Sequence, residues 1–482
     1  MPTFACDLSQ PSDAFEHFWE HTVGSGHAPL ALRSDWQAQM QKCHTELGFQ
    51  YVRFHDLLSD SMGTLVSQQE KLIYSFFNVD QVMDFLLTIG MHPFVELSFM
   101  PQVLASGSET VFRYEANITP PKDFKQWETL IHKLAQHCVE RYGLEEVRQW
   151  FFETWNEPNL KAFWTGTRED YFKLYRHSVE AIKSVDASLK VGGPATAQTA
   201  WIEEFLDYCE RSHLPVDFVT THYYPTDAFS EGDTDKKLAS APRDVMRERA
   251  EIAKRQARRM PLYFTEWNIS SDPHHSLHDE PFAAAYATHI LMSLQGLVDG
   301  YSFWTFSDIF EENYFPSIPF HGGFGLLNLH GIPKPVYRAF QLLHQLGDEH
   351  LKVDGQHDTV EVWAIRKGNQ LSFLCVNHAL PGHSISTEQV EITLANSPEP
   401  KHNYIRRIDE QHANPRQAWL EMGSPEYLDA LEVEQLQASS ELIKEPQPWS
   451  RIEGNIKLDF DLPAHSVAAM TLEFESPERK TK

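Results

Sequence analysis

Along the first two-thirds of the chain, apolar positions switch between two periods. In "VDQVMDFLLTIG" Val82, Phe85, Leu86 and Ile89 recur at helical spacing, and the pattern stops at Gly90, as a helix does at a residue that tolerates any backbone angle. "HPFVELSF" follows at once as a short apolar run. "DFKQWETLIHKLAQHCVERYG" repeats the scheme, with Trp127, Ile131, Leu134 and Cys138 on one face and Gly143 as the stop; the strand after it begins Trp150-Phe151-Phe152. A helix carrying Tyr171, Leu174, Tyr175 and Ile182 precedes "LKVGGPA". "VDFVTTHYYP", "PLYFTEWNIS" and "GYSFWTFSDIF" read as three further strands, and "TVGSGHA" and "FQYVRFHD" as two near the start. Short apolar strands separated by helices are the mark of buried parallel strands. Eight such β/α units over roughly 250 residues predict an α/β fold, a (β/α)8 TIM barrel. A doubly wound sheet is the alternative. Against it, no strand is followed by GxGxxG or a P-loop, and "GSGH" at 24–27 is only a fragment.

From about residue 350 the period becomes two. "TVEVWAIRKGNQLSFLCVNHA" is a pair of alternating strands around a Lys-Gly-Asn turn, a hairpin signal. "VEITLA", "IKLDFDLP" and "SVAAMTLEF" continue in that style, interrupted near 413–443 by a helical insertion. The expectation is a barrel over 15–347 and a C-terminal β-sandwich domain over 348–482, joined by the N-terminal segment 1–14. The tail "SPERKTK" is expected to be disordered.

Composition narrows the partners. The 482 residues carry 41 Lys+Arg against 68 Asp+Glu, a net charge of −27, which disfavours nucleic acid and anionic membrane surfaces. No run approaches the roughly 18 apolar residues of a membrane span, and the first twenty residues have no signal-peptide form. The five cysteines are scattered and never in CxxC, which suits a reducing, cytoplasmic setting and argues against a disulfide framework or a zinc site. A homo-oligomer is compatible with all of this. Aromatic residues reach 12%; most fill cores, and the excess is weak support for a carbohydrate ligand.

Candidate chemistry sits at the C-terminal ends of the strands, where such barrels build their sites. The second strand ends in Arg53, His55 and Asp56, the fourth in Asn156 and Glu157, the sixth in His222, Tyr223 and Tyr224, and the seventh in Glu266, Trp267 and Asn268. The eighth runs through Trp304 towards Glu311 and Glu312. Strands four and seven face each other across a barrel, so Glu157 and Glu266 form a candidate carboxylate pair for glycosidic bond cleavage. One would protonate the leaving oxygen, and the other would attack or activate water. Pro158 is expected to stop the fourth strand and leave Glu157 on the rim. Arg53 with Asp56 reads equally well as a structural ion pair, and His222 alone as a core histidine. "DPHHSLHDE" at 272–280 lacks the HExxH pattern and reads as a polar loop near the pocket, not a metal site.

"WNEPNLKAFW", "FTEWNIS", "VRFHD", "THYYP" and "FHGGFGLLNLHGIPKPVYRAF" together resemble family 39 of the glycoside hydrolases, over nearly the whole chain. The resemblance implies Glu157 as acid/base, Glu266 as nucleophile, and retention of configuration. It implies sugar-binding roles for Arg53, His55, Asn156, His222 and Glu311 or Glu312, a hydrogen bond from Tyr224 to the nucleophile, and Phe112 as an aromatic wall. Trp304 is a further candidate sugar platform. The leading expectation is an exo-acting β-xylosidase on neutral oligosaccharides with a raised Glu157 pKa and no cofactor, because two carboxylates suffice. The alternatives are β-glucosidase, α-L-arabinosidase, α-L-iduronidase, an exopolysaccharide hydrolase, and a sugar-binding barrel without catalysis.

Overall fold

The computed structural model describes residues 1–69, 71–226 and 233–475; the tail 476–482, with its expected disorder, lies outside the described residues. Eight parallel strands close into a barrel: β1 Thr22–His27, β2 Tyr51–His55, β3 His92–Leu97, β4 Phe151–Thr154, β5 Lys190–Thr196, β6 Phe218–Tyr223, β7 Leu262–Trp267 and β8 Gly300–Phe303. Closure comes where Phe303 of β8 pairs with Val23 of β1. Eight helices of the surrounding ring are α1 Ser34–Leu47, α2 Phe77–Thr88, α3 Phe124–Tyr142, α4 Arg168–Val185, α5 Ile202–Arg211, α6 Val245–Gln256, α7 Pro281–Ser293 and α8 Pro335–Gln345. The apolar stripes read from sequence are the faces they bury: Trp127, Ile131, Leu134 and Cys138 of α3, and Tyr171, Leu174, Tyr175 and Ile182 of α4, are all buried. The starts are capped as helix starts require. Asp123 accepts from the backbone of Lys125, and Thr167 with Asp170 forms a capping box.

The last third is a sandwich of two sheets. One orders Val353–Asp354, Thr3–Asp7, Glu388–Ala395, Asn455–Leu462 and Ser450–Ile452. The other orders Ser12–Ala14, Glu349–Leu351, Val360–Lys367, Gln370–Asn377, Ser466–Glu473, His402–Ile408 and Glu445–Pro446. The N-terminal strands thus belong to the sandwich sheets, Thr3–Asp7 running parallel to Glu388–Ala395. Period-two alternation sorts the central strand: Phe373 and Cys375 join the core between the sheets, while Leu374 and Val376 join the core of the barrel. There they meet α7, whose residues 281–292 are all buried. A helix apolar on every side needs cover on every side, and strands Gln370–Asn377 and Ser466–Glu473 supply it.

The insertion consists of two helices, Pro415–Glu421 and Ala430–Ser439. Trp419 and Leu436 pack on Phe320 and Ile332 of the long connection between β8 and α8. Arg338 of α8 binds Ser440 and Glu441. Among the described residues no helix is long and apolar enough to cross a membrane, and the five cysteines are buried and unpaired.

Candidate active site

At the C-terminal mouth of the barrel a cavity of about 180 Å³ is lined by polar residues His55, Asn156, Glu157, Gln198, Glu266 and Glu312. Aromatic rings of Phe112, Phe163, Tyr224, Trp304, Phe310 and Phe324 form much of the rest of the wall, with Ser271, Pro273 and Asn313 also in the lining. Nearest oxygens of Glu157 and Glu266 lie within 4.8 Å of each other and of a His222 nitrogen. A double displacement needs carboxylates about 5–5.5 Å apart, whereas about 6.5–9.5 Å leaves room for an inverting water.

The backbone that presents Glu157 differs from expectation. Strand β4 ends at Thr154, before Pro158 acts. Trp155 (φ 70°) and Glu157 (φ 43°) both sit in the left-handed region, which non-glycine residues adopt at a cost. The turn is pinned by Glu157 N–H donating to Ala195 O at 2.8 Å and by the Trp155 indole donating to Phe163 O at 3.0 Å.

Glu266 is held from two sides. Arg53 Nη1 donates to its Oε1 at 2.8 Å, and the Tyr224 hydroxyl donates to Oε2 at 2.9 Å. Burial, then the charges of Glu266 and Glu157, push the Tyr224 phenol well above its usual range, so it stays a donor. Arg53 is fully enclosed. It also donates to Glu153 at 2.5 Å and Asn156 at 3.0 Å, and pairs with Glu96 at 2.8 Å. It does not pair with Asp56, which takes hydrogen bonds from Ser59 and Ser61 instead. The alternative of an Arg53–Asp56 ion pair is therefore not realised.

His222 bridges Glu157 (2.9 Å) and Thr265 (3.1 Å) through its two nitrogens. Burial, reinforced by Arg53 and His55, holds it well below the usual histidine range, so it is neutral. His55 behaves oppositely. Burial would depress it, but Glu96 at 2.8 Å, with Glu266 and Glu312 nearby, holds it up at about 9. Glu312 is pushed up to about 8, chiefly by burial, with His55 working against the shift and Glu266 and Glu96 adding to it.

Of the residues expected at the site, His55, Phe112, Asn156, Glu157, Tyr224, Glu266, Trp304 and Glu312 line the cavity. Arg53 and His222 stand behind it, fully buried and engaged by protein groups. The open question at 311 and 312 resolves: Glu312 turns inward, while Glu311 (φ 52°) binds Arg33 and faces Arg113 at 3.9 Å. The stretch 272–280 does reach the pocket, with Pro273 in its lining, and its His275, His278 and Asp279 are buried. Asp279 and Asp308 clamp the buried Lys334 at 2.5 and 2.7 Å, and Lys334 reaches Gly323 O at 2.9 Å. That clamp fixes the segment bearing Phe324.

Residues that sequence reasoning passed over include Glu96, Glu153, Thr265 and Gln198. Glu96 and Glu153 carried a signal, a lone carboxylate inside an apolar strand, which must find a partner when buried. Glu157, His222 and Glu266 are spaced as a metal site could be. However, both nitrogens of His222 and both oxygens of Glu266 already serve protein hydrogen bonds, and a divalent ion at Glu266 would face the Arg53 cation.

Comparison with known proteins gives the family. The family described as "Glycosyl hydrolases family 39" matches residues 4–457. A β-xylosidase of Caldicellulosiruptor saccharolyticus is 48% identical over 94% of this chain and 95% of its own length. One from Geobacillus stearothermophilus is 36% identical over 98% and 97%. The crystal structure of a monomeric β-xylosidase from Caulobacter crescentus CB15 superposes with a TM-score of 0.88 at 35% identity, covering 98% of this chain and 99% of that one. The chain belongs to glycosyl hydrolase family 39 and is a glycosidase.

Proposed function

We propose that the chain is a retaining, exo-acting β-xylosidase that releases xylose from the non-reducing end of short xylo-oligosaccharides. The observation that carries the mechanism is the Glu157–Glu266 pair, within 4.8 Å, one on the turn after β4 and the other on β7. Full-length similarity to two β-xylosidases supports the sugar. Glu266, held by hydrogen bonds from Arg53 and Tyr224, attacks the anomeric carbon while Glu157 gives its proton to the leaving oxygen. Glu157 then takes a proton from water, which displaces Glu266. Asn156, whose carbonyl accepts from Arg53, turns its amide to the sugar, and Trp304 and Phe112 offer apolar faces to the ring.

A neutral sugar fits better than a uronic acid. The cavity lining includes no lysine or arginine among the described residues, and Arg53 and His55 are already matched by carboxylates. We assign the barrel to residues 15–347 and the sandwich to the rest, with 1–14. The test is hydrolysis of a panel of p-nitrophenyl glycosides. Turnover of the β-xyloside above the others, abolished in Glu266→Gly and diverted by azide to the α-glycosyl azide, is expected. Glu157→Ala should give the β-azide. Preference for another glycoside would move the sugar, and absence of rescue in both variants would overturn the roles.

A further inference from the structure

The hydrogen-bond chain behind Glu157 sets more than position. The Thr265 hydroxyl lies 2.8 Å from Glu153 Oε1 and 3.1 Å from His222 Nε2, and it has one hydrogen to give. Burial raises Glu153, with Arg53 working against the shift, but its hydrogen bonds mark it as an acceptor: Arg53 Nε donates to Oε2 at 2.5 Å and the Thr265 hydroxyl donates to Oε1. A carboxylate only accepts, so Thr265 donates to Glu153 and must itself accept from His222. The single hydrogen of the neutral imidazole is thereby placed on Nε2. Nδ1 then faces Glu157 Oε1, 2.9 Å away, as a lone pair. Two lone pairs do not sustain that contact, so Glu157 supplies the hydrogen.

We propose that Thr265 and Glu153 are positioning residues that fix the tautomer of His222, so that Nδ1 accepts the proton of Glu157 and tightens its hold on it in the free enzyme. The inference rests on Glu157 being the acid/base. Surrounding charge acts in the same direction. Arg53 and His55 from β2 face Glu96 from β3, Glu153 from β4 and Glu266 from β7, with Tyr224 and Glu312 at the edge. The three carboxylates outnumber the two cations, and an ionised Glu157 adds to the excess. The device keeps the acid loaded at neutral pH. Once the proton has gone to the leaving oxygen, the Glu157 carboxylate again faces the Nδ1 lone pair, which makes it a better base for the water of the second step.

Thr265→Val and Thr265→Ala remove the hydroxyl. The ring is then free to carry its hydrogen on Nδ1 and donate to Glu157, which favours the carboxylate. With xylobiose, whose leaving group needs the proton, the basic limb of kcat/KM should move acidward by about one pH unit, a roughly tenfold loss on that limb. Thr265→Ser should restore the midpoint. A limb unmoved in both variants, with kcat lowered equally at every pH, overturns the proposal. Nitrogen-15 spectra of histidine-labelled wild-type enzyme give a reading that needs no Thr265 variant. The ring signals lost in His222→Gln should be those of an Nε2–H imidazole; an Nδ1–H signature overturns the proposal. A basic limb that persists in Glu157→Ala would instead remove the acid/base assignment, independently of Thr265.

Discussion

Five carboxylates crowd the mouth of the barrel, and the residues differ in how they tolerate it. Glu96, Glu153 and Glu266 share the Arg53 guanidinium, whereas Glu312, among the described residues, faces only His55, at 3.8 Å, and burial pushes it upward. Its affinity for a proton, raised from 4.5 to about 8, is a statement about stability. Above the unfolded value the unfolded chain releases the proton and the fold does not, so Glu312 costs stability increasingly as pH rises towards 8, by at most about 1.4 kcal/mol per unit. His55, raised from 6.5 to about 9, stabilises fully below 6.5 and loses this as pH rises through 9. From pH 5 to 6.5 the His55 contribution is constant, and Asp56, which burial raises to about 7, shares the slope, so the difference between Glu312→Gln and wild type is what reports Glu312. Urea unfolding of Glu312→Gln and wild type at these two pH values should show the difference shifting in favour of the variant. An unchanged difference would mean that Glu312 is ionised in the fold.

At the level of elements, the barrel was legible because each strand is a short apolar run next to a helix with its own stripe, and the site because polar groups end those runs. What escaped reading depends on partners distant in sequence. "GSGH" reads as a stray glycine fragment. In the fold, a Cβ at Gly24 would stand 2.6 Å from the Trp304 ring, and one at Gly26 would stand 2.8 Å from Phe310 O. Both glycines of β1 thus let wall residues of the cavity lie against the barrel, a fact encoded only when β1 meets the segment after β8. Gly24→Ala should push Trp304 into the cavity, raising KM about tenfold or more while the two carboxylates remain in place. Steady-state kinetics with the β-xyloside check this, and an unchanged KM would show that Trp304 yields elsewhere. The orientation of Glu311 against Glu312 was likewise unreadable, because it turns on one residue with φ 52°. The N-terminal strands were legible only as a segment expected to join the sandwich, since a five-residue strand reveals no pairing partner.

For the whole molecule, the sandwich and its helical insertion extend the barrel's own packing. The insertion holds Phe320 through Trp419, and Ser317 binds Glu426 at 2.8 Å; both anchors lie in the connection that carries Glu312 and Phe324 to the cavity. Trp419→Ala should cost about 3 kcal/mol, at the low end for a buried tryptophan, and should weaken substrate binding although Trp419 is not among the residues lining the cavity. Thermal melting and KM measured together check this; a loss of stability with KM intact would separate the insertion from the site. The pairing of Thr3–Asp7 with Glu388–Ala395 has a consequence in time. During synthesis Thr3–Asp7 is made long before its partner Glu388–Ala395, and α7 waits for its cover as well. Contacts of such long sequence separation form slowly. The barrel can close between β8 and β1 before those partners exist, but it does so beside an unpaired Thr3–Asp7 and an uncovered apolar helix, and both are covered only once the sandwich strands have been made.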